Sequence, residues 1–465
     1  MNKTYFNVVT SLVALTAFSP AFAGQTPTEA MREKMKLMGV KIPAVIAHRG
    51  ADWYAPEESL PSFLLAMEMG ADYLEMDAHL TKDGVIILNH DDTFERTTNI
   101  KSVFPGREKE PIYNFTWAEV QKLDNGSSFN LRDNLKSLSH HVPRASFVGQ
   151  KVLRLEQVLK IARSKPGYEP GIYIEAKVPT AEKETELASD KVSVKTAEAI
   201  VKVLSQHGWI DNKKTDNGKR VIFESFGKTA VERFHKRAPT TPVCFLFSFL
   251  KDEKAMDQVI EATLDAGAQI TGPFLFPHQY KYFTERAHEK GLMVHPWIVD
   301  EVDVLGGAFN LISAEWLIEH ETSTGKINDA DDVHAILEES LKSNPKVSLI
   351  LTAIYKEINK LPFQKMLPKL KDFADKFLTK EEKALSTFLN GDADGIFTDQ
   401  PDLGVAILES HSNLAPASNL SRAAILEAQF KAVEAKMLSD KQLKSLLNVT
   451  AKLKGDESFR IKRDN

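Results

Sequence analysis

Between Val45 and Asp91 the chain gathers two histidines, an arginine and two closely spaced carboxylates among short apolar runs. Glu75 and Asp77, in Tyr73-Leu74-Glu75-Met76-Asp77, are two residues apart, so an extended strand points both to one face. Carboxylates confined in this way repel each other unless they share a cation, and a hard divalent metal is the usual solution. His48 and His90 each follow an apolar run, which sets both at expected strand exits, where barrel enzymes keep their chemistry. Arg49 adds a fixed, forked cation suited to phosphate oxygens. Two imidazoles and a carboxylate-held metal would supply the base, the acid and the charge clamp for displacement at phosphorus. A further carboxylate, Glu175, lies in the apolar run Ile172-Tyr173-Ile174-Glu175-Ala176-Lys177, where an ion pair to Lys177 on the same face is the alternative to metal binding.

These residues fall into a longer series. His48-Arg49-Gly50, Ala55-Pro56-Glu57, Gly70-Ala71-Asp72, Glu75-x-Asp77, Leu80-Thr81-Lys82-Asp83-Gly84 and His90-Asp91 come first. Ile172 to Lys177, Glu224-Ser225-Phe226, Trp297 and Asp394-Gly395-Ile396-Phe397-Thr398-Asp399-x-Pro401 follow. In order and spacing the series resembles the glycerophosphodiester phosphodiesterase family, over roughly residues 42–300 and 392–405. The resemblance implies His48 and His90 as the catalytic acid and base, and Glu75, Asp77 and Glu175 as ligands of one divalent cation. It also implies Arg49, Lys177, Glu57 and Trp297 as substrate- or phosphate-binding residues. Oxygen-only ligands point to Ca²⁺ or Mg²⁺, and Ca²⁺ suits an extracytoplasmic enzyme better. The expected reaction is hydrolysis of a glycerophosphodiester to sn-glycerol 3-phosphate and an alcohol. The chain departs from the family at Glu58-Ser59, where Asn-Thr is usual, and Glu58 is expected to face solvent.

The elements that must position these groups alternate between β-rich runs and helical stretches. Strands are expected at 44–47, 72–77, 85–90, 172–177, 221–225, 243–247, 268–271, 292–298 and 395–398. Helical patterns include Leu60–Met69, with Ser59 as N-cap and Pro61 in its first turn, Leu155–Arg163 and Val192–Gln206. Such alternation predicts an α/β fold, a (β/α)₈ TIM-like barrel with a helical insertion between the last two strands and extra C-terminal helices. Nine candidates compete for eight places, and 268–271 is the one expected to lie outside the barrel. Residues 24–410 form the barrel domain with insertions at 99–150 and 327–390, and 411–465 form a helical extension. The 327–390 insertion has no counterpart in the family pattern. Its position between the last strands allows it either to overhang the pocket or to pack on the outer helices.

The ends and the composition narrow the class. Lys3, the apolar stretch Val8 to Phe22 and Ala21-Phe22-Ala23 read as a signal peptide, residues 1–23, cleaved after Ala23. The mature protein is expected in the periplasm or secreted, without stable membrane insertion. The single cysteine, Cys244 in Val243-Cys244-Phe245-Leu246-Phe247, reads as a small core residue. A net charge of −5 argues against a nucleic-acid partner and for a small-molecule substrate. His140-His141 reads as a solvated pair and Gly306-Gly307 as a turn. Three rival classes remain: a lipid-cleaving phospholipase C- or D-like barrel, a silent glycerophosphate-binding module, and a barrel glycosidase using Glu75 and Glu175. No histidine or carboxylate of the series is missing, as silence would require, and a glycosidase has no use for Arg49-Gly50. The alcohol group and the oligomeric state are not legible in the sequence.

Overall fold

The computed structural model describes residues 27–127, 129, 147–179, 186–211, 221–248, 250, 252–275, 279–297, 393–402 and five further positions up to 445. The signal peptide, the 327–390 insertion, His140-His141, Gly306-Gly307 and all but two positions of the C-terminal extension lie outside the described residues.

Nine strands are formed: β1 Ala44–Ala47, β2 Tyr73–Leu80, β3 Ile86–Leu88, β4 Gly171–Ala176, β5 Val221–Ser225, β6 Val243–Phe247, β7 Ile270–Pro273, β8 Met293–Val294 and β9 Gly395–Thr398. Eight run parallel in the order β8-β7-β6-β5-β4-β2-β1-β9. Between β8 and β9 the Asp394 N–H donates to the Val294 carbonyl at 3.1 Å, and the Phe397 N–H to that of Pro296 at 3.3 Å. The sheet therefore curls into a nearly closed, TIM-like barrel. The strand expected outside it, 268–271, is barrel strand β7. The supernumerary one is β3, which pairs antiparallel with β2. Its cause is the short connection Thr81 to Val85, where the Thr81 N–H donates to the Val85 carbonyl at 2.9 Å and Gly84 takes a φ of 81°. A link that short closes a hairpin and cannot carry a parallel crossover.

Nine α-helices are described: α1 Pro27–Leu37, α2 Leu60–Glu68, α3 Ile100–Val103, α4 Trp117–Val120, α5 Leu155–Ala162, α6 Glu186–Gln206, α7 Lys228–Arg237, α8 Glu253–Asp265 and α9 Tyr280–Glu289. The expected cap of α2 is present, with Ser59 Oγ accepting the Ser62 N–H and Pro61 in the first turn. The phrase Thr116 to Glu119 forms a capping box at α4.

The strands are apolar on both faces because each face has a cover. Leu74, Met76, Ile172, Ile174 and Phe223 join helix residues such as Phe63, Leu155 and Phe234 in the outer layer. The alternate residues Tyr73, Tyr173, Ile222, Cys244, Ile270, Met293 and Phe397 fill the barrel interior, together with Met31 and Met35 of α1. Cys244 is the buried core residue expected. Above this apolar floor the same inward face turns polar, and that change makes the site.

Candidate active site

Strand register sets the carboxylates side by side. Asp77 on β2 pairs with Glu175 on β4, Glu175 with Glu224 on β5, and Glu224 with Cys244 on β6. Neighbouring strands lie about 4.8 Å apart, so three carboxylates form one row, with Glu75 a layer below. Each of the four is at most 4% exposed. Burial first, and the neighbouring Asp77 charge with it, pushes the Glu75 carboxyl well up and Glu175 up to about 8. Glu224 is likewise raised well above its usual range by burial, then by Glu75 and Glu175. Asp77 goes the other way. Burial opposes its charge, but Lys177 foremost, then His90, Arg49 and His48, hold it well below the carboxylate range.

Two cations thread this row. Lys177 Nζ lies 3.2 Å from Asp77 Oδ1 and 3.0 Å from Glu175 Oε2. Arg49 Nε lies 3.1 Å from Asp77 Oδ2, and its backbone N–H donates to Glu75 Oε2 at 2.7 Å. Arg49 adopts a φ of 51°, a costly backbone for a side chain with a Cβ, just after β1. Gly50 follows at φ 87°, where a Cβ would fall 2.4 Å from Ser62 Oγ, so the turn that aims Arg49 admits only glycine there.

Each histidine is held by a carboxylate. His48 Nδ1 is 2.6 Å from Asp399 Oδ1, just after β9, and the His48 N–H donates to the Thr398 carbonyl at 3.0 Å. His90 Nδ1 is 2.9 Å from Asp91 Oδ1. Arg96 grips Asp91 at 2.8 Å and forks onto both oxygens of Glu57 at 2.6 Å. His90 thus leaves the end of the β3 hairpin rather than a barrel strand. Burial foremost lowers its pKa, against the pull of Asp77 and Asp91.

An open cleft collects these groups. One half is lined by His48, Arg49, Glu75, Asp77 and His90, with Glu175 and Glu224 beside them. The other half is Phe226, Leu246, Trp297 and Phe397. Seven of the nine residues singled out from the sequence therefore line one cleft. The remaining two stand just behind it: Lys177 inside the carboxylate row, and Glu57 bridging Arg96 and Arg49, whose Nη1 is 3.4 Å away.

Glu58 corrects an expectation. It is 1% exposed rather than solvated, and its Oε1 accepts the Asp77 N–H at 2.7 Å. A φ of 57° turns it inward. Sequence reasoning also passed over Glu224, Phe226, Arg96 and Asp399 as site residues. Glu224 carried the signal that found Glu175, a lone carboxylate in the buried run Val221-Ile222-Phe223-Glu224. Asp399 carried none beyond its motif, and Arg96 carried none.

As the side chains stand, no group of three His, Cys, Asp or Glu among the described residues converges closely enough to hold a metal ion. The physical reason is Lys177, whose ammonium takes the space between Asp77 and Glu175. The donor chemistry nonetheless suits a hard cation. Glu175 Oε1 is buried with no hydrogen-bond partner, and burial foremost pushes the Glu75 and Glu175 carboxyls up.

A nearly closed parallel barrel with paired imidazoles, fixed cations and clustered carboxylates at one mouth defines a barrel enzyme acting on an anionic ester. Comparison with known proteins narrows the class. The profile of the glycerophosphoryl diester phosphodiesterase family matches residues 48–322, and the chain belongs to that family. It is 30% identical over 255 residues to the glycerophosphodiester phosphodiesterase of Bacillus subtilis (strain 168), covering 55% of this chain and 76% of the relative. A glycerophosphodiester phosphodiesterase of Caldanaerobacter subterraneus subsp. tengcongensis is 26% identical over 256 residues, covering 55% and 85%. The crystal structure of a proposed glycerophosphoryl diester phosphodiesterase from Silicibacter pomeroyi DSS-3 superposes with a TM-score of 0.50 at 18% identity. It covers 79% of this chain and 94% of that one, and it supports the barrel fold alone. Among the described residues no helix is long and apolar enough to cross a membrane.

Proposed function

We propose that this phosphodiesterase hydrolyses glycerophosphodiesters to sn-glycerol 3-phosphate and an alcohol by histidine acid–base catalysis, with one divalent cation, Ca²⁺ in preference to Mg²⁺. The observation that carries the reading is the meeting of His48, His90, Arg49 and the carboxylates on one cleft. Both imidazoles offer Nδ1 to a carboxylate, which places the proton on Nδ1 and leaves Nε2 with a lone pair. One neutral Nε2 removes the proton of the attacking hydroxyl as its oxygen bonds to phosphorus. The other ring enters the step with a proton taken from solvent on its Nε2 as well, and gives that proton to the departing alcohol as the P–O bond breaks. Arg49, held by Asp77, Glu75 and Glu57, offers its guanidinium to the nonbridging oxygens, and Lys177 assists from the row behind.

Glu75, Asp77 and Glu175 would hold the cation, which requires Lys177 to release one of its partners. Once bound, the cation supplies positive charge against the phosphate. The mature chain works in the periplasm or outside the cell, after cleavage behind Ala23. The test measures glycerol 3-phosphate released from a diester panel with chelator, then with Ca²⁺ or Mg²⁺ restored. Release abolished by chelation and restored best by Ca²⁺ is expected. Full activity in chelator removes the cation from the reaction, and no glycerol 3-phosphate from any diester removes the substrate class.

A further inference from the structure

His90 leaves a hairpin rather than a barrel strand, so the turn that carries it must be fixed by other means. β2 is the longest strand among the described residues, and its inward face continues past Glu75 and Asp77 to His79, one layer higher. His79 pairs across the hairpin with Ile87 on β3. It is 5% exposed and is not among the residues lining the cleft. Its ring donates to the backbone carbonyl of His90. Nε2 is buried with no hydrogen-bond partner, so Nδ1 makes that bond.

The rest of the turn is served by other donors. The Asn89 N–H donates to the Asp77 carbonyl at 3.0 Å and so starts the turn against β2. The Asn89 side-chain amide donates to the carbonyls of Asp91 at 2.6 Å and Thr93 at 3.3 Å, while its oxygen accepts from Thr97 Oγ1 at 2.9 Å. The Asp92 carbonyl accepts the Ile112 N–H at 2.9 Å. Each carbonyl from His90 to Thr93 thus has a partner, and His79 holds the one that belongs to His90 itself. That bond sets the plane of the peptide joining His90 to Asp91, and with it the angle at which the Asp91 carboxylate meets the His90 ring. An apolar residue would fill the same buried place without leaving a ring nitrogen unpaired. The imidazole is therefore explained by its donor, not by its bulk.

We propose that His79 is a positioning residue for the reaction: its Nδ1–H fixes the His90–Asp91 peptide and so aims the His90 ring into the cleft. It acts only through His90, and nothing in this role requires His79 to change its own protonation. Asn places an amide N–H close to where the imidazole Nδ1–H lies, so it keeps the bond while losing the ring. Leu and Met keep the volume and lose the donor. The role rests on the reading above that His90 is an acid or base of the hydrolysis.

The experiment compares His79→Leu, His79→Met and His79→Asn with wild type in the full mature chain at saturating Ca²⁺, after melting curves confirm folding. Either apolar variant suffices where the other does not fold. The apolar variants are expected to lose roughly three- to tenfold in kcat, the worth of one uncharged hydrogen bond, with KM within about twofold. His79→Asn is expected to keep kcat within about twofold of wild type. A packing role gives the opposite order, because Asn leaves a void that Leu and Met fill. A second arm needs no turnover. With histidine labelled at ring Cε1, the His90 magnetic-resonance signal is assigned by its loss in His90→Ala. It is expected near its wild-type position in His79→Asn and displaced or broadened in the apolar variants. All three variants lack the His79 ring, so its ring current cannot account for a difference between them. If the wild type hydrolyses no diester, the reaction reading fails while this arm still decides the positioning. Apolar variants with wild-type kcat overturn the proposal, as does an Asn variant no better than they are, or one His90 signal common to all four proteins.

Discussion

Removing the carboxylate behind His48 tests whether orientation of that ring matters to the reaction. Asp399 Oδ1 lies 2.6 Å from His48 Nδ1, and the Asp399 side chain is 19% exposed, so the contact is largely shielded from water. A hydrogen bond involving a charged group contributes about 1.5–3 kcal/mol, against roughly 0.5–1.5 for a neutral one. Asp399→Ala forfeits the whole contact and frees the ring. If that loss falls on the transition state, kcat drops by roughly 10- to 150-fold, at about 1.4 kcal/mol per decade. Asp399→Asn keeps an acceptor but loses the charge, a difference of about 1 kcal/mol, so roughly fivefold is expected. The backbone role of Asp399, whose carbonyl accepts the Trp53 N–H at 3.2 Å, is untouched by either change. Steady-state kinetics at saturating Ca²⁺ should therefore give a graded series, wild type above Asn above Ala, carried by kcat with KM within about twofold. An alanine variant that folds and keeps kcat within twofold of wild type would refute the reasoning, as would a loss expressed only in KM.

Three further outcomes follow from buried polar groups. Glu58→Gln retains an oxygen for the Asp77 N–H and removes a buried acid that its neighbours disfavour, so its melting temperature should match or exceed wild type. Glu58→Ala leaves that N–H unpaired and should cost about 1–3 kcal/mol, read by urea unfolding. Arg96→Ala strips the fork from Glu57, a carboxylate with 3% side-chain exposure, and a loss of about 1–3 kcal/mol is expected together with reduced turnover through the loosened Asp91–His90 pair. His295 is buried and held down to about 4 by that burial, against 6.5 when free. Between those values the unfolded chain binds the proton and the folded chain does not, so stability falls as pH drops from 6.5 toward 4, by at most about 3 kcal/mol from this group. His295→Gln should flatten that fall in unfolding midpoints measured at pH 5 and pH 7, and an unchanged fall would rule His295 out as its source.

Much of the barrel was legible because its strands announce themselves as short β-branched runs buried on both faces, as β4, β5 and β6 do. The one misplacement had a readable cause. Periodicity cannot tell a barrel strand from a hairpin partner, but the length of the link can. The link before β3, Thr81 to Val85, is too short for a crossover, whereas the stretch between β6 and β7 holds α8. The chemistry on β2 and β4 was legible for a related reason: a carboxylate in a buried run must find a cation, a metal or a lysine, and the register then places Asp77 beside Glu175.

The rest depended on contacts that local pattern does not carry. Asp399 reaches His48 across 351 positions, and Arg96 reaches Glu57 across 39. Neither partner is distinguishable from a surface residue until the barrel brings the ends together. Glu58 shows the opposite failure, since a charged residue beside a helix cap is by default solvated. Here the left-handed backbone at Arg49 and again at Glu58 folds the segment after β1 back over the barrel mouth. That reversal carries the Glu58 carboxyl to the Asp77 N–H and the Arg49 guanidinium to the Asp77 carboxylate. Asp77 is thus gripped through backbone and side chain by one strained loop. The strain is maintained by the same contacts that fix the geometry of the site, so loosening either should release both.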